Sequence, residues 1–203
     1  MTGKSLDCRN IQNTEVPVEL RFLQIGSRAQ IRPKRTKNSK TRISKMQNPN
    51  PKFTQWLYQH IGRDWWWVGR YYWSMDQWKN RFRNPSVSLW LMETSSKLEM
   101  HPAGYYELEK HEASDIEISS FGLLPHSIGK GLGGHMLTDG LERAFDMGAK
   151  RVWVETSSLD HRYALENYKA RGMEVYMIRQ HMLSVPLDWP PLPTRINQPP
   201  LAC

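Results

Sequence analysis

A chain of 203 residues, 39% of them hydrophobic, can bury one full core but not two ordinary ones, and it holds no run of eighteen apolar residues to cross a bilayer. Two cysteines, Cys8 and Cys203, exclude a disulfide framework and a zinc cluster. The net charge of +8 belongs to residues 1–45, where eleven Lys/Arg face only Asp7, Glu15 and Glu19; the seventeen basic and seventeen acidic residues that follow cancel. No apolar secretory segment opens the chain, so a soluble, cytoplasmic protein is expected.

The composition divides the chain into an N-terminal segment over 1–41 with one early strand and a basic linker, a domain over 42–182, and a proline-rich irregular tail over 183–203. Residues 18–25 alternate as an early strand, and 42–46 form a second, shorter one. The basic run between them (Lys34, Arg35, Lys37, Lys40, Arg42, Lys45) has few apolar neighbours and reads as a self-repelling solvated linker. Its sharper alternative is contact with a nucleic acid or another acidic partner through residues 28–45, although no aromatic interrupts the run to stack on bases. Asn50-Pro51 opens a helix through Trp56, Leu57 and Tyr58, stopped near Gly62. Ser74 caps another that runs to Arg83.

Five tryptophans (Trp65, Trp66, Trp67, Trp73, Trp78) with Tyr71 and Tyr72 crowd into fourteen residues between and within these helices. Consecutive side chains point in different directions, so they cannot all enter one core, and some are expected to wall an acceptor cleft. Strands over 87–92 and 103–109 form a hairpin, and residues 115–124 continue the meander. A helix over 131–147 buries Leu132, Met136, Leu137, Leu141, Ala144 and Phe145, and Gly148 ends it. A strand over 151–156, a helix over 162–171 stopped by Gly172, and a strand over 173–179 complete the order.

Between strand 115–124 and its following helix lies Gly129-Lys130-Gly131-Leu132-Gly133-Gly134. Glycines at a helix mouth offer free N–H groups and the positive end of the dipole to one point, which binds phosphate. Gly129, Gly131 and Gly134 also satisfy the dinucleotide fingerprint, with Glu155 near the ribose-binding position. Against that fold stand residues 125–128, which separate strand from glycine, and the short remaining sequence, which cannot supply a second half-sheet.

The strand, the words Ile128-Gly129-Lys130-Gly131-Leu132-Gly133 and Ala164-Leu165-Glu166-Asn167-Tyr168-Lys169-Ala170-Arg171-Gly172-Met173 resemble the acetyl-CoA-binding half of the GNAT superfamily of acetyltransferases. The resemblance is close over 103–179 and rests on element order over 42–102. It implies an α/β (α+β) fold, a mainly antiparallel twisted sheet flanked by helices, with a splayed strand pair at the coenzyme. It implies an N-acetyltransferase moving an acetyl group from acetyl-CoA to a primary amine of a small molecule or protein by direct transfer, without a metal. The same residues would also serve an acyl-CoA-binding module without turnover. The amides of Gly129, Lys130, Gly131, Leu132, Gly133 and Gly134 would hold the pyrophosphate, and Phe121 and Leu123 would meet the pantetheine arm and the acetyl carbonyl. Ile128 departs from the usual Arg or Gln, which removes a side-chain contact but no backbone donor.

Tyr168 then falls near the coenzyme sulfur, as the acid for the departing thiolate. Glu117, six residues before Leu123, takes the place of the base, and even parity puts both on one strand face. Glu107 and Glu155 compete for that role. Gly122 is the expected point of irregularity in the strand. Asp160-His161 lacks the nucleophile motif of a hydrolase.

Overall fold

The computed structural model describes residues 12–96, 99–187 and 189. Seven strands, β1 (Asn13–Ile25), β2 (Thr41–Lys45), β3 (Val87–Ser96), β4 (Glu99–Lys110), β5 (Asp115–Leu123), β6 (Arg151–Ser157) and β7 (Glu174–Pro186), form one sheet in the order β2-β3-β4-β5-β6-β1-β7. Every pairing is antiparallel except β5 with β6. Helices α1 (Pro51–Gly62) and α2 (Met75–Arg83) follow β2, α3 (Leu132–Asp146) joins β5 to β6, and α4 (Ala164–Ala170) joins β6 to β7. This is the expected mixed α/β architecture.

Local chemistry sets the helix starts. The Asn50 side chain accepts from the amides of Lys52 and Phe53, with Pro51 in the first turn. Ser74 and Gln77 exchange hydrogen bonds in a capping box at α2. The sheet then buries both faces. Met136, Leu137 and Leu141 of α3 pack on Leu108, Ile116, Ile118, Val152 and Val154, while Phe53, Leu57 and Ile61 of α1 pack on Leu89, Leu91 and Tyr105.

Three outcomes differ from the sequence reading. β1 is not an appendage of an N-terminal segment: its residues 20–25 pair with β6 and its residues 13–24 with β7, so the first strand sits inside the sheet. β7 is longer than expected and runs through residues 183–186, while residues 190–203 of the proline-rich tail lie outside the described residues. The basic run is an exposed loop, as expected of a solvated linker or loop, but it is tied down and not free to extend by self-repulsion. To reach β2 the chain crosses α3, and it is tied to α3, to the end of α4 and, once in β2, to β3. Arg32 N donates to Arg171 O at 3.1 Å and Lys34 N to Thr138 Oγ1 at 2.9 Å. Arg35 grips Glu142 at 2.6 and 2.7 Å, Arg28 pairs with Asp146, and Arg42 meets Glu93 at 2.7 Å. Each exposed pair contributes only about 0–1 kcal/mol. The two backbone bonds and the match of a basic strap to an acidic helix face fix its path together.

Candidate active site

Strands β5 and β6 pair at only three positions, from Asp115↔Arg151 to Glu117↔Trp153, and then part. Beyond Glu117 the β6-facing edge of β5 has no strand partner, although its other edge stays paired with β4 as far as Leu123. A cavity of about 600 Å³ passes through the sheet at this gap, with α3 and α4 at one mouth and the loop after α1 at the other. An unpaired strand edge inside a cavity can hydrogen-bond an extended ligand as an added strand. Phe121 and Leu123 both line it.

At the α3 mouth, Gly129 and Gly131 have φ of 79° and 73°, the left-handed region that favours glycine, and nothing stands within 4 Å of where a Cβ would be. Gly131 is the N-cap of α3 and no side chain caps the helix, so its first-turn amides face open space. Gly131, Leu132, Gly133 and Gly134 line the cavity, as does Ile128; Lys130 is exposed and does not. Two cations absent from the sequence reading lie over this turn. A Cβ on Gly134 would stand 2.4 Å from Arg171 Nη1 and 2.7 Å from Lys34 Cδ. Lys34 arrives on the strap and lines the cavity. Burial lowers the Arg171 pKa, which still leaves a guanidinium charged. No local signal in the sequence could place Lys34 here, because its position depends on where β1 enters the sheet.

Tyr168 is 5% exposed, lines the cavity midway, and packs its ring 5.9 Å from Phe121. Burial, then the Asp160 charge, holds its phenol well above the usual tyrosine range, so it stays protonated at neutral pH.

The three competing glutamates are separated by the structure. Glu107 is fully buried and consumed: Arg70 Nη1 donates to both its oxygens at 2.9 Å, and Arg81 donates from Nε at 3.0 Å and Nη2 at 2.9 Å. Glu117 does not line the cavity; its Oε2 lies 2.8 Å from His111 Nε2. Glu117 and Leu123 do not share a face, because the irregularity in β5 falls before Gly122. Glu107 pairs with Ser120 but Leu108 with Ile118, so Ser119 is an extra residue and the alternation flips across it. Ile116 and Ile118 therefore share a face with Phe121 and Leu123, and Glu117 points the other way. Gly122 instead permits close packing, since a Cβ there would sit 2.3 Å from Ile61 Cγ2.

Glu155 does line the cavity, on the face opposite Val152 and Val154. Glu155 is exposed on its outer side, and partial burial of the carboxyl raises its pKa, with the charges of Glu117 and Asp160 adding to the shift and those of His181 and Arg179 opposing it. Asp160 lines the cavity too, accepting from Thr156 Oγ1 at 2.6 Å and Ser157 N at 2.9 Å, and burial raises it as well. Asp160, expected from sequence to matter only as half of an Asp160-His161 pair, thus lines the cavity in its own right.

Of the five tryptophans, Trp65, Trp66 and Trp67 line the α1 mouth. Trp73 packs on Trp78, which is fully buried, and under Arg70. Trp66 has φ of 60°, an outlier for so bulky a residue. Among the described residues no helix is long and apolar enough to cross a membrane.

Comparison with known proteins agrees with this geometry. No curated protein matches the chain in sequence. A GCN5-related N-acetyltransferase from Sphaerobacter thermophilus superposes on 85% of the chain with a TM-score of 0.62 at 15% identity; the chain spans 53% of that protein. A protein from Novosphingobium aromaticivorans assigned to the GNAT family covers 86% of the chain, and 67% of its own length, with a TM-score of 0.58 at 10% identity. An aminoglycoside acetyltransferase from an uncultured soil metagenomic sample, in complex with trehalose, covers 66% of the chain and 88% of itself, with a TM-score of 0.53 at 16% identity. These likenesses concern the fold. Residues 52–173, more than half of the sequence, match the Acetyltransferase (GNAT) family, and the chain belongs to it.

Proposed function

We propose that this protein is an N-acetyltransferase that moves an acetyl group from acetyl-CoA to a primary amine by direct transfer in a ternary complex, in the cytoplasm. The observation that carries the reading is the through-sheet cavity, in which a glycine cradle, a free strand edge, a buried phenol and an unpaired carboxylate share one space. The amides of residues 129–134 suit a pyrophosphate, with the charges of Lys34 and Arg171 compensating for the contact that Ile128 lacks. The β6-facing edge of β5 at Phe121 and Leu123 suits the pantetheine arm and places an N–H near the acetyl carbonyl.

The amine approaches from the α1 mouth as an ammonium and gives up one proton to solvent before it attacks. Glu155 takes the second proton as the nitrogen–carbon bond forms and the carbon–sulfur bond breaks, and Tyr168 donates to the departing thiolate. Glu117, first in line from the sequence, acts in this scheme only through its charge on Glu155.

Calorimetry with acetyl-CoA, followed by free-thiol release across a panel of amines, tests the reading. Binding in the micromolar range and amine-dependent thiol release are expected. Binding without release for any amine would make the protein a coenzyme-binding module, and no binding would remove the coenzyme site.

A further inference from the structure

The α1 mouth of the cavity carries information about the acceptor that the family match does not. Apart from the His161 imidazole, which packs against Trp65, its charged groups can be accounted for one by one. Arg70 lines the cavity, but its guanidinium is held by Glu107. Lys34 belongs to the α3 mouth, over Gly134. Asp160 is held by Thr156 and Ser157. Glu155 makes no hydrogen bond or ion pair among the described residues, and Arg179 and His181 of β7 act on it only at a distance. The α1 mouth therefore has an excess of negative charge and one carboxylate open to a ligand.

The walls around that carboxylate are aromatic and aliphatic. Trp65 stands edge-on to His161 at 4.9 Å, Trp66 is held toward the cavity from a left-handed backbone, and Leu20 and Leu183 line the β1–β7 side. Indole faces attract a cation and pack a flat apolar group, and an ammonium held against them pairs with an open carboxylate such as Glu155.

We infer that the acceptor is a small arylalkylamine-like cation, with its ammonium against Glu155 and its flat apolar body between Trp65, Trp66 and Leu20. The inference rests on the acetyl-transfer reading for what happens to the bound amine, though not for the binding itself. An amino acid would bring its carboxylate against Glu155 and Asp160, and among the described residues no unpaired Lys or Arg lines this mouth to meet it, since Arg70 is held by Glu107 and Arg179 lies over the Phe22 ring outside the cavity lining. A polyamine would strand its second charge on the apolar wall, and an aminosugar would leave hydroxyl groups there unpaired.

Two measurements, kept separate, test this. Calorimetry without coenzyme compares 2-phenylethylamine and tryptamine with 2-phenylethanol, phenylalanine, spermidine and glucosamine. The two arylalkylamines are expected to bind at least about tenfold more tightly than the other four, the size of one charge-assisted hydrogen bond. Glu155→Gln should weaken tryptamine by about the same factor while leaving acetyl-CoA affinity unchanged, which also shows that the variant is folded. Tighter binding of phenylalanine, spermidine or glucosamine, or equal tryptamine affinity in Glu155→Gln, overturns the inference. Failure of acetyl-CoA to bind overturns the proposed reaction instead, and leaves the amine comparison readable.

Discussion

At the α3 mouth the cavity offers a ligand main-chain amides, positioned by two left-handed glycines and an uncapped helix start. At the α1 mouth it offers side chains, Glu155, Trp65 and Trp66, whose aim depends on strand register and on a strained loop. A backbone site should tolerate replacement of nearly any side chain, provided the glycines remain. A side-chain site can change its ligand through one residue without disturbing the fold. The two mouths should therefore respond to different mutations, and Tyr168, between them, should respond to neither kind of binding test.

Tyr168→Phe probes that midpoint and carries the largest expected effect. Removal of the hydroxyl should lower kcat by about 10²–10⁴-fold, the usual worth of positioned acid assistance, and leave the acetyl-CoA dissociation constant where it was. Because burial keeps the phenol protonated through the neutral range, the loss should not vary with pH near 7. Equal kcat in the two proteins would return Tyr168 to the core it shares with Phe121.

Gly131→Asp attacks the backbone mouth alone. The new carboxylate would sit in a left-handed conformation that Asp tolerates only partly, at the point where phosphate charge is expected. Acetyl-CoA affinity should fall at least about tenfold, with tryptamine affinity unchanged. Calorimetry on folded protein decides it, and unchanged coenzyme affinity would remove the cradle.

The same contrast explains what the sequence disclosed. Residues 129–134 and 164–173 were legible because the conformation of a glycine turn and the cap of a short helix are local properties, written within a few residues. The helix starts at Asn50 and Ser74 were legible for the same reason. The side-chain mouth was not. Selection of Glu117 over Glu155 required an unbroken alternation along β5, and one extra residue at Ser119 reversed it. Nothing in Ile118-Ser119-Ser120-Phe121 announces a bulge; it arises from pairing with β4 beside the buried Glu107 and its two arginines. Lys34 was hidden differently, since its place follows from β1 entering between β6 and β7, strands that lie far along the chain from it.

Lys34→Ala sharpens the comparison with a smaller effect. The side chain supplies charge over the cradle, not a donor on which its geometry depends, so coenzyme affinity should weaken by about two- to fivefold, the worth of an exposed charge pair. The difference between the two proteins should shrink as salt is raised from low to physiological ionic strength and beyond. A loss that persists at high salt would mean the strap shapes the cradle itself through Lys34.

The smallest expected effect separates the two carboxylates. Glu117→Gln removes a like charge near Glu155, beside the remaining influence of Asp160, His181 and Arg179. The Glu155 carboxyl sits above its ordinary value, so the unprotonated base appears only as pH rises through that raised pKa, and kcat should climb with it. With Glu117 neutral, the proton leaves Glu155 more readily and the acid limb of the pH profile should move to lower pH. The plateau above it should change by less than about twofold, because a partly screened charge acts here only through another group. Were Glu117 itself the base, the plateau would instead collapse by about 10²–10⁴-fold and the limb would lose its inflection. A limb that moves with an intact plateau assigns proton transfer to the strand beyond the gap, where the side chains of the α1 mouth gather.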